Sequence, residues 1–494
     1  MKKYLGTFVL GLALLLPLAA EAQMKDSIVI GMRLEPSPGL DPTAAAAAAI
    51  SQVTTYNIYE CLTRIDGTGK VGPMLAKSWT ISEDGLTYSL KLETGVTFHD
   101  GSTFDSADVK FNFERNGGEK SKNKAKKTYR NVASIDTPDA HTVVIKLKAP
   151  NSLFLFKLAQ STGAIVAQET AETNATNPVG TGPYKFVKWT KGDSVELEKY
   201  AGHRNAANVK ISKAKFRFIN DATAQVSALY AGDLDYMPSL SAPEMFAQFK
   251  KDDRFTTLQG TTEGETILAM NNKHEVLSDI RVRRALMHAI DRKALIDGAM
   301  YGSGTPIGSH FPPHHPAYVD LTGVYSYDPA KAKMLLKEAG HEKLELSLKL
   351  PPPSYARRGG ELIAAMLAEV GVTATIENVE WAQWLDQVYK KKQYALSIVS
   401  HVEPMDMSIY TRDNYYYQYE SPEFHKLWKN VETAVSEAEQ FKALQAAQRK
   451  LTEDAVNGYL FELAKLGVAS KGLNGMWASW PAFINEIAAM SWDG

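Results

Sequence analysis

A short polar segment late in the chain combines several side chains that could do chemistry. It is the stretch SIVSHVEPMDMSIY, residues 397–410, where an apolar run breaks into polar and acidic residues. Its candidate functional residues are Ser400, His401, Glu403, Asp406 and Tyr410. Two acids could act as acid and base in glycoside hydrolysis, an imidazole with carboxylates could hold a metal ion, and the same groups could line a binding cleft. The residue types alone leave all three possibilities open.

Three more imidazoles, His310, His314 and His315, lie close together in GSHFPPHHPAY, residues 308–318. Histidine is a common metal ligand. The prolines between these histidines stiffen the backbone, however, and no carboxylate or thiolate lies at a suitable spacing. We therefore predict a rigid loop at the surface or at a domain edge, with no metal and no cofactor. A receptor for a metal or a metal chelate, using His401 and these histidines, is the alternative.

Motifs of the common enzyme classes are absent from the sequence. The chain has no G-x-S-x-G elbow, no H-E-x-x-H, no P-loop and no C-x-x-C. Two acids three positions apart are common, and their spacing does not set the distance between their carboxyl groups. We therefore expect that the protein is not an enzyme. An exported hydrolase that uses Glu403 and Asp406 is the less favoured alternative.

The first 22 residues have the pattern of a secretory signal peptide. Lys2 and Lys3 precede an apolar run, residues 8–20, which is shorter than the roughly 20 residues that a membrane-spanning helix needs. Ala20-Glu21-Ala22 matches an A-x-A cleavage site. No cysteine follows this site directly, so we expect no lipid anchor. These features predict a protein that is exported to the periplasm.

The charge balance argues against a nucleic-acid partner. The chain carries 55 basic and 56 acidic residues, whereas nucleic-acid binding needs a concentrated basic surface. The one basic run, residues 120–127, is interrupted by polar residues. The single cysteine, Cys61, allows no intramolecular disulfide, and its apolar neighbours predict that it is buried.

Local patterns predict strands early in the chain and helices alternating with strands later. In residues 86–98 the apolar side chains alternate with a period of two, which is typical of a strand. Residues 281–300, 327–340 and 361–371 have the apolar spacing of helices, and residues 372–376 then predict a strand. Antiparallel hairpins followed by α/β units indicate separate domains rather than one barrel.

One block carries a specific family resemblance. Residues 73–115, PMLAKSWTISEDGLTYSLKLETGVTFHDGSTFDSADVKFNFER, resemble the signature of the family 5 extracellular solute-binding proteins, the oligopeptide, dipeptide and nickel-type receptors of ABC importers. Other family blocks occur in the expected order, so that the resemblance covers essentially the whole mature chain. They include Leu40-Asp41-Pro42, residues 177–184, residues 279–283 and Tyr327-Asp328-Pro329.

The resemblance implies an α/β fold of the type II periplasmic binding protein class. Two α/β lobes are joined by a hinge, and an extra mixed domain is inserted in the first lobe. The expected limits are 25–62, 184–268 and 472–494 for the first lobe, 63–183 for the extra domain, and 269–471 for the second lobe. Hinge strands are expected near residues 265–272 and 466–474.

The aromatic residues of the signature are expected to be structural. Trp79, Tyr88, Phe98 and Phe104 alternate with turn residues. This arrangement predicts the core of the extra domain rather than a ligand site.

The family also implies a position for the ligand. In its peptide-binding members, the segment that matches residues 397–410 carries an Asp that holds the α-ammonium of the ligand. When Glu403-Pro404 sets the register, that position falls on Ser400, with His401 beside it. A neutral hydroxyl pairs poorly with an ammonium, and Glu403 or Asp406 could substitute. The resemblance therefore implies that this segment forms the second-lobe wall of the cleft.

Other positions complete the predicted ligand-binding set. Arg357 is a candidate anchor for a ligand carboxylate, although an exposed helix start is the other interpretation. Tyr410 and Trp384 are candidate aromatic contacts, with core packing as the alternative for Trp384. Glu35, just before Leu40-Asp41-Pro42, is the candidate on the first lobe.

The function implied by the resemblance is that of a receptor without chemistry of its own. It captures a small polar ligand, a peptide or a peptide-like solute, between two lobes and delivers it to an ABC permease in the inner membrane. Because the family Asp is missing, a non-peptide solute such as a sugar derivative, an opine-like conjugate or a metal chelate is the alternative. We expect a monomer.

Overall fold

The computed structural model describes residues 25–45 and 47–493. The predicted signal peptide, residues 1–22, therefore lies outside the described residues. None of the described helices is long and apolar enough to cross a membrane.

The strands are numbered along the chain. They are β1 (Ser27–Met32), β2 (Thr63–Ile65), β3 (Val71–Pro73), β4 (Ala76–Ile81), β5 (Thr87–Leu92), β6 (Val132–Asp139), β7 (Thr142–Leu147), β8 (Tyr184–Thr190), β9 (Ser194–Lys199), β10 (Lys213–Phe218), β11 (Tyr236–Met237), β12 (Phe255–Met270), β13 (Gly304–Pro306), β14 (Leu344–Leu350), β15 (Val372–Asn378), β16 (Leu396–His401), β17 (Asn457–Ser470), β18 (Leu473–Asn474) and β19 (Ser491–Trp492).

The α-helices are numbered in the same way. They are α1 (Ala48–Thr54), α2 (Ser106–Gly117), α3 (Lys126–Arg130), α4 (Phe154–Leu158), α5 (Ala222–Ala231), α6 (Pro243–Phe249), α7 (Ile280–His288), α8 (Arg292–Met300), α9 (Pro329–Glu338), α10 (Ser354–Glu369), α11 (Trp381–Trp384), α12 (Pro422–Thr433) and α13 (Glu437–Glu453).

A single sheet runs through both lobes. Its strand order is β15-β14-β16-β12-β17-β11-β1-β10-β9-β8, and β13 pairs with β17 beside this path. The long strands β12 and β17 pair with each other antiparallel along most of their length. Strands β11, β1 and β10 flank one half of this pair, and β16, β14 and β15 flank the other half. The strands β12 and β17 are therefore shared by both lobes and form the hinge between them.

The carboxyl ends of the flanking strands converge on the middle of the hinge pair. Strand β11, parallel to β1, runs along β17 from Ala469 toward Val468. Strand β16 runs along β12 from Met270 to Glu265, which lies opposite His401. The two lobes thus point the ends of their parallel strands at each other, and ligands of open α/β sheets bind at such ends.

The extra domain has its own antiparallel sheet and its own core. The sheet has the order β4-β5-β7-β6, and α2 and α4 contribute to the core beside it. Tyr88, Phe98 and Phe104 are buried there, while Trp79 is half-buried and packs against the same core. Cys61 is buried, as its neighbours predict.

Capping residues explain where the helices begin and end. Asp328 accepts a hydrogen bond from the backbone N–H of Lys331 and Pro329 follows it, so α9 starts as predicted. The prediction of one helix over residues 281–300 is wrong, because the chain forms α7 and α8. Asp291 caps α8 by accepting a hydrogen bond of 3.0 Å from the backbone N–H of Ala294, and this cap starts a second helix although the apolar period continues.

Candidate functional site

A cleft with a volume of about 380 Å³ lies between the two lobes. The segment after β1 and the loop after β11 form its first-lobe side, and the end of α8 and the start of α10 form its second-lobe side. Residues of β17 lie between them. Small-molecule sites occupy roughly 300–1,000 Å³, so this cleft can hold one small solute.

Arg33 supplies the charge on the first-lobe side. It follows β1 directly and is exposed. Among the described residues that line the cleft, it alone has an ionisable side chain. None of the salt bridges within residues 25–45 and 47–493 involves it. A guanidinium in this position can form two parallel hydrogen bonds to a carboxylate.

The second-lobe side is polar but neutral. Ser303 and Ser354 line it, and Ser354 is the first residue of α10. Pro353 precedes that helix, and no side chain caps it. The backbone carbonyl of Pro353 accepts hydrogen bonds from the N–H groups of Ala356 and Arg357. Tyr355, the residue after Ser354, accepts a hydrogen bond of 3.2 Å at its hydroxyl from the backbone N–H of Ser400.

Ser400 therefore does not line the cleft, but it contacts Tyr355, which is the neighbour of the lining residue Ser354. It is opposite Thr266 in the β16–β12 register, and the two hydroxyl oxygens are 2.7 Å apart. The Ser400 hydroxyl thus already has a partner within the sheet.

Asp406 is the centre of a buried network of imidazoles. Its Oδ1 is 2.7 Å from Nε2 of His310, and its Oδ2 is 3.5 Å from Nδ1 of His401. The other nitrogen of His401 lies 2.6 Å and 2.9 Å from the hydroxyls of Tyr417 and Tyr416. Burial raises the pKa of Asp406, but the charges and hydrogen bonds of the two imidazoles outweigh it. The pKa of this carboxyl therefore lies well below its usual range.

Hinge carboxylates extend this network. Oε1 of Glu265 is 3.3 Å from Nδ1 of His310, and Oε1 of Glu263 is 2.9 Å from Nε2 of His314. Both oxygens of Glu462 are buried without a hydrogen-bond partner among the described residues. Burial raises the pKa of Glu265 and Glu462 well above the usual range.

A metal ion is one chemical possibility for part of this network. Ligand atoms of Glu265, His401 and Asp406 all lie within 4.8 Å of one another. In a tetrahedral zinc site, with bonds of about 2.0–2.2 Å, the ligand atoms lie about 3.4 Å apart. The three side chains would have to move closer together to bind such an ion, and His310 already lies within hydrogen-bond distance of Asp406.

The other predicted site residues lie in varied surroundings. Glu403 is exposed. Tyr410 is buried, with its hydroxyl 3.3 Å from that of Tyr459. Trp384 is buried and donates its indole N–H to Ser397 Oγ at 2.9 Å.

The two remaining candidates have partners of their own. Arg357 forms an exposed ion pair of 3.1 Å with Glu380. Glu35 accepts hydrogen bonds from the indole of Trp189 and the backbone N–H of Gly192. None of the eight predicted residues lines the 380 Å³ cleft, and their roles toward a ligand stay predictions.

The local sequence singles out neither Arg33 nor the acids Glu263 and Glu265, and it does not link His310 to Asp406. Arg33 ends an apolar strand pattern, and a charged residue at that point is the signal that could have drawn attention to it. The acids Glu263 and Glu265 form a period-two pair in TTEGETIL. His310 could be linked to Asp406 only through the fold, because 96 positions separate them.

The comparison with known protein families decides the assignment. The model of the bacterial extracellular solute-binding proteins, family 5, matches residues 70–422. The chain belongs to this family. The resemblance carried by residues 73–115 is thereby confirmed.

Individual relatives agree with the assignment of this family 5 protein. The glutathione-binding protein GsiB of Salmonella typhimurium is 32% identical over 360 residues, which are 72% of this chain and 70% of the relative. The structure of AgaA from A. tumefacien R10, in complex with agropinic acid, is 26% identical with a TM-score of 0.75, covering 95% of this chain and 99% of AgaA.

The chain is similar to a third protein in fold alone. CtaP from Listeria monocytogenes is 22% identical and has a TM-score of 0.85, with 95% of this chain and 100% of that protein covered. The type II periplasmic binding protein fold, with two lobes and an inserted domain, is confirmed.

Proposed function

We propose that this family 5 protein is an exported receptor that captures one small polar solute between its lobes and hands it to an ABC importer in the inner membrane. A peptide or peptide-like solute is the primary ligand class. The receptor catalyses no reaction. The observation that carries the proposal is the 380 Å³ cleft, whose walls come from both lobes and from the shared strand β17.

The hinge supports a mechanism of capture by closure. Of the strands in the described residues, only β12 and β17 run through both halves of the main sheet, so a change of twist in two strands can move one lobe against the other. A solute that contacts both walls binds the closed arrangement more tightly than the open one, and it therefore shifts the population toward closure.

The names of the relatives support the ligand class. GsiB is a glutathione-binding protein, and glutathione is peptide-like. The second candidate is a non-peptide solute, such as a sugar derivative, an opine-like conjugate or a metal chelate. Ser400 favours it, since this residue stands where peptide receptors are expected to carry an Asp and its hydroxyl already lies 2.7 Å from that of Thr266.

Membership in family 5 also supports the expected domain limits, export and ligand contacts. The limits 25–62, 184–268 and 472–494, 63–183, and 269–471 define the first lobe, the extra domain and the second lobe. Cleavage after Ala22 releases a monomer to the periplasm without a lipid anchor. Of the predicted ligand contacts, Ser400 is supported by its link to Tyr355, the neighbour of the cleft residue Ser354.

The test begins with protein purified from a periplasmic extract. Its intact mass is measured under native conditions, and the bound compound is identified after denaturation. Small-angle scattering then compares the stripped protein with the protein refilled with the same compound. A receptor should contain one bound solute and become more compact when it is refilled. A tightly bound solute that leaves the scattering unchanged would contradict capture by closure, and turnover of the solute would contradict the absence of catalysis.

A further inference from the structure

The described lining of the cleft combines one positive charge with several neutral polar groups. Its polar groups include the side chains of Gln52, Ser239, Ser241, Ser303 and Ser354. These groups donate and accept hydrogen bonds but carry no charge. Among the described residues of the lining, Arg33 is the only charged one, and no carboxylate is present.

The acids that could have balanced Arg33 are placed elsewhere. Asp406 is occupied by His310 and His401. Glu403 is exposed and does not line the cleft. Glu35 is bound to the indole of Trp189 and to a backbone N–H in the β8–β9 turn. An ammonium group in the cleft would therefore lose water without gaining an anion, which is costly.

We propose that the ligand is a carboxylate-bearing solute whose anionic group binds the guanidinium of Arg33, and that a free ammonium group is not needed for binding. This inference rests on the proposed receptor function and names the ligand chemistry of the same cleft. The fork of the guanidinium matches the two oxygens of a carboxylate. The serine hydroxyls and Gln52 then bind the neutral polar part of the solute.

The names of two relatives are consistent with such a ligand. Glutathione is an acidic peptide, and agropinic acid is by its name an acid. An anion anchor in the first lobe also explains how the cleft can function although Ser400 stands at the expected ammonium position. A ligand held through its carboxylate does not depend on that position.

Four matched sets of probes test the inference. The first is a pool of free dipeptides, the second the same pool N-acetylated, the third C-amidated and the fourth blocked at both ends. Binding to stripped protein is measured by thermal shift and confirmed by titration calorimetry, since a ligand that binds only the folded state raises its stability. The free and N-acetylated sets should bind, and the two amidated sets should not.

Substitutions at Arg33 assign the effect to one side chain. Arg33→Gln removes the charge and should weaken binding of the N-acetylated set about 10- to 100-fold, the range expected for a charge-assisted hydrogen bond. Arg33→Lys keeps the charge and should lose less. Arg281→Gln, an exposed arginine paired with Asp279, is the matched control and should bind like the wild type.

Several outcomes would overturn the inference. Binding of the C-amidated set at the affinity of the free set would do so, as would loss of binding on N-acetylation or unchanged binding by Arg33→Gln. Failure of all four sets also counts against it. Compaction by the co-purified solute remains a separate readout, so a wrong ligand class can be told apart from a wrong receptor assignment.

Discussion

The imidazole of His310 lies 2.7 Å from the carboxylate of Asp406, although 96 positions separate the two residues. The pair joins the proline-rich loop after β13 to the loop after β16. His401 approaches the other oxygen of the same carboxylate. Asp406 is therefore held between two imidazoles inside the second lobe.

Replacing Asp406 with Asn should destabilise the fold. The change leaves two imidazoles without the carboxylate that they share, and the loss of hydrogen bonds to a buried charged group costs about 1.5–3 kcal/mol. Urea denaturation at neutral pH measures the loss. Glu403→Gln, in the same loop but exposed, should stay within about 0.5 kcal/mol of the wild type. Equal stability of the two variants would show that the network does not support the fold.

The effect of Asp406→Asn should depend on pH in a defined direction. The pKa of Asp406 in the folded state is lowered, so its stabilising contribution is present above the unfolded pKa near 3.9. It is lost as the pH falls through the lower folded value. The stability difference between wild type and variant should thus be largest above about pH 5 and shrink below about pH 3.9. A difference that grows in acid would contradict this assignment.

Glu462 should behave in the opposite way. Burial raises its pKa in the folded state, and neither oxygen has a hydrogen-bond partner among the described residues. The cost of this carboxyl is fully present above the folded pKa and disappears as the pH falls toward the unfolded value near 4.3. Glu462→Gln should therefore stabilise the protein by about 1–3 kcal/mol at pH 8 and much less near pH 5.

Denaturation curves of Glu462→Gln and wild type at pH 5 and pH 8 provide the measurement. Glu420→Gln, an acid with an exposed lysine partner, is the control and should show little change at either pH. A destabilised Glu462→Gln variant at pH 8 would mean that the carboxylate has a charge partner in solution.

Much of the fold could be predicted because its signals are local. Asp328 and Pro329 start α9, and the family signature contains the buried aromatics of the extra domain. The split between α7 and α8 was missed because the apolar period continues through it, and the cap at Asp291 outweighs that period.

The site was harder to predict for a physical reason. Ser400, His401 and Asp406 are neighbours in sequence, and this grouping of polar residues after an apolar strand is visible in the sequence alone. The direction of each side chain depends on partners from β12 and from the loop after β13, which the local sequence does not specify. The local sequence does not single out Arg33. Its role as an anchor depends on the absence of acids among the described lining residues of the cleft, and only the folded chain determines which residues line the cleft.

Lys465 should titrate close to neutral pH. It is buried on β17, where its ammonium group donates to the hydroxyl of Tyr236 at 3.1 Å and to the backbone carbonyl of Trp477. Burial lowers its pKa to about 7. Carbon-13 NMR of protein labelled at the lysine ε-carbon should show one resonance that titrates near pH 7, well below the other lysines.

The Lys465→Met variant assigns that resonance, which should then vanish. The same variant should flatten the stability profile between about pH 7 and pH 10.4, the range in which the unfolded chain binds more protons than the folded one. A set of lysine resonances that all titrate near pH 10.4 would refute the prediction.

A contact between the extra domain and the second lobe should govern closure. Ser152 of the extra domain accepts a hydrogen bond of 2.8 Å at its carbonyl from the side chain of Gln440 on α13. Its N–H and hydroxyl donate to the carbonyls of Glu432 and Val431 at the end of α12. Because the extra domain is expected to belong to the first lobe, we expect these bonds to hold the two lobes together.

Gln440→Ala removes one of these bonds and should shift the protein toward opening. One such hydrogen bond contributes about 0.5–1.5 kcal/mol, so affinity for the co-purified solute should fall about 2- to 10-fold. The radius of gyration of the refilled protein should increase at solute concentrations that saturate the wild type. Gln445→Ala, on the same helix but without a hydrogen bond to Ser152, should match the wild type in both measurements. If Gln440→Ala also matches it, the contact follows closure without stabilising it, and the hinge strands with the bound solute must supply the free energy of closing.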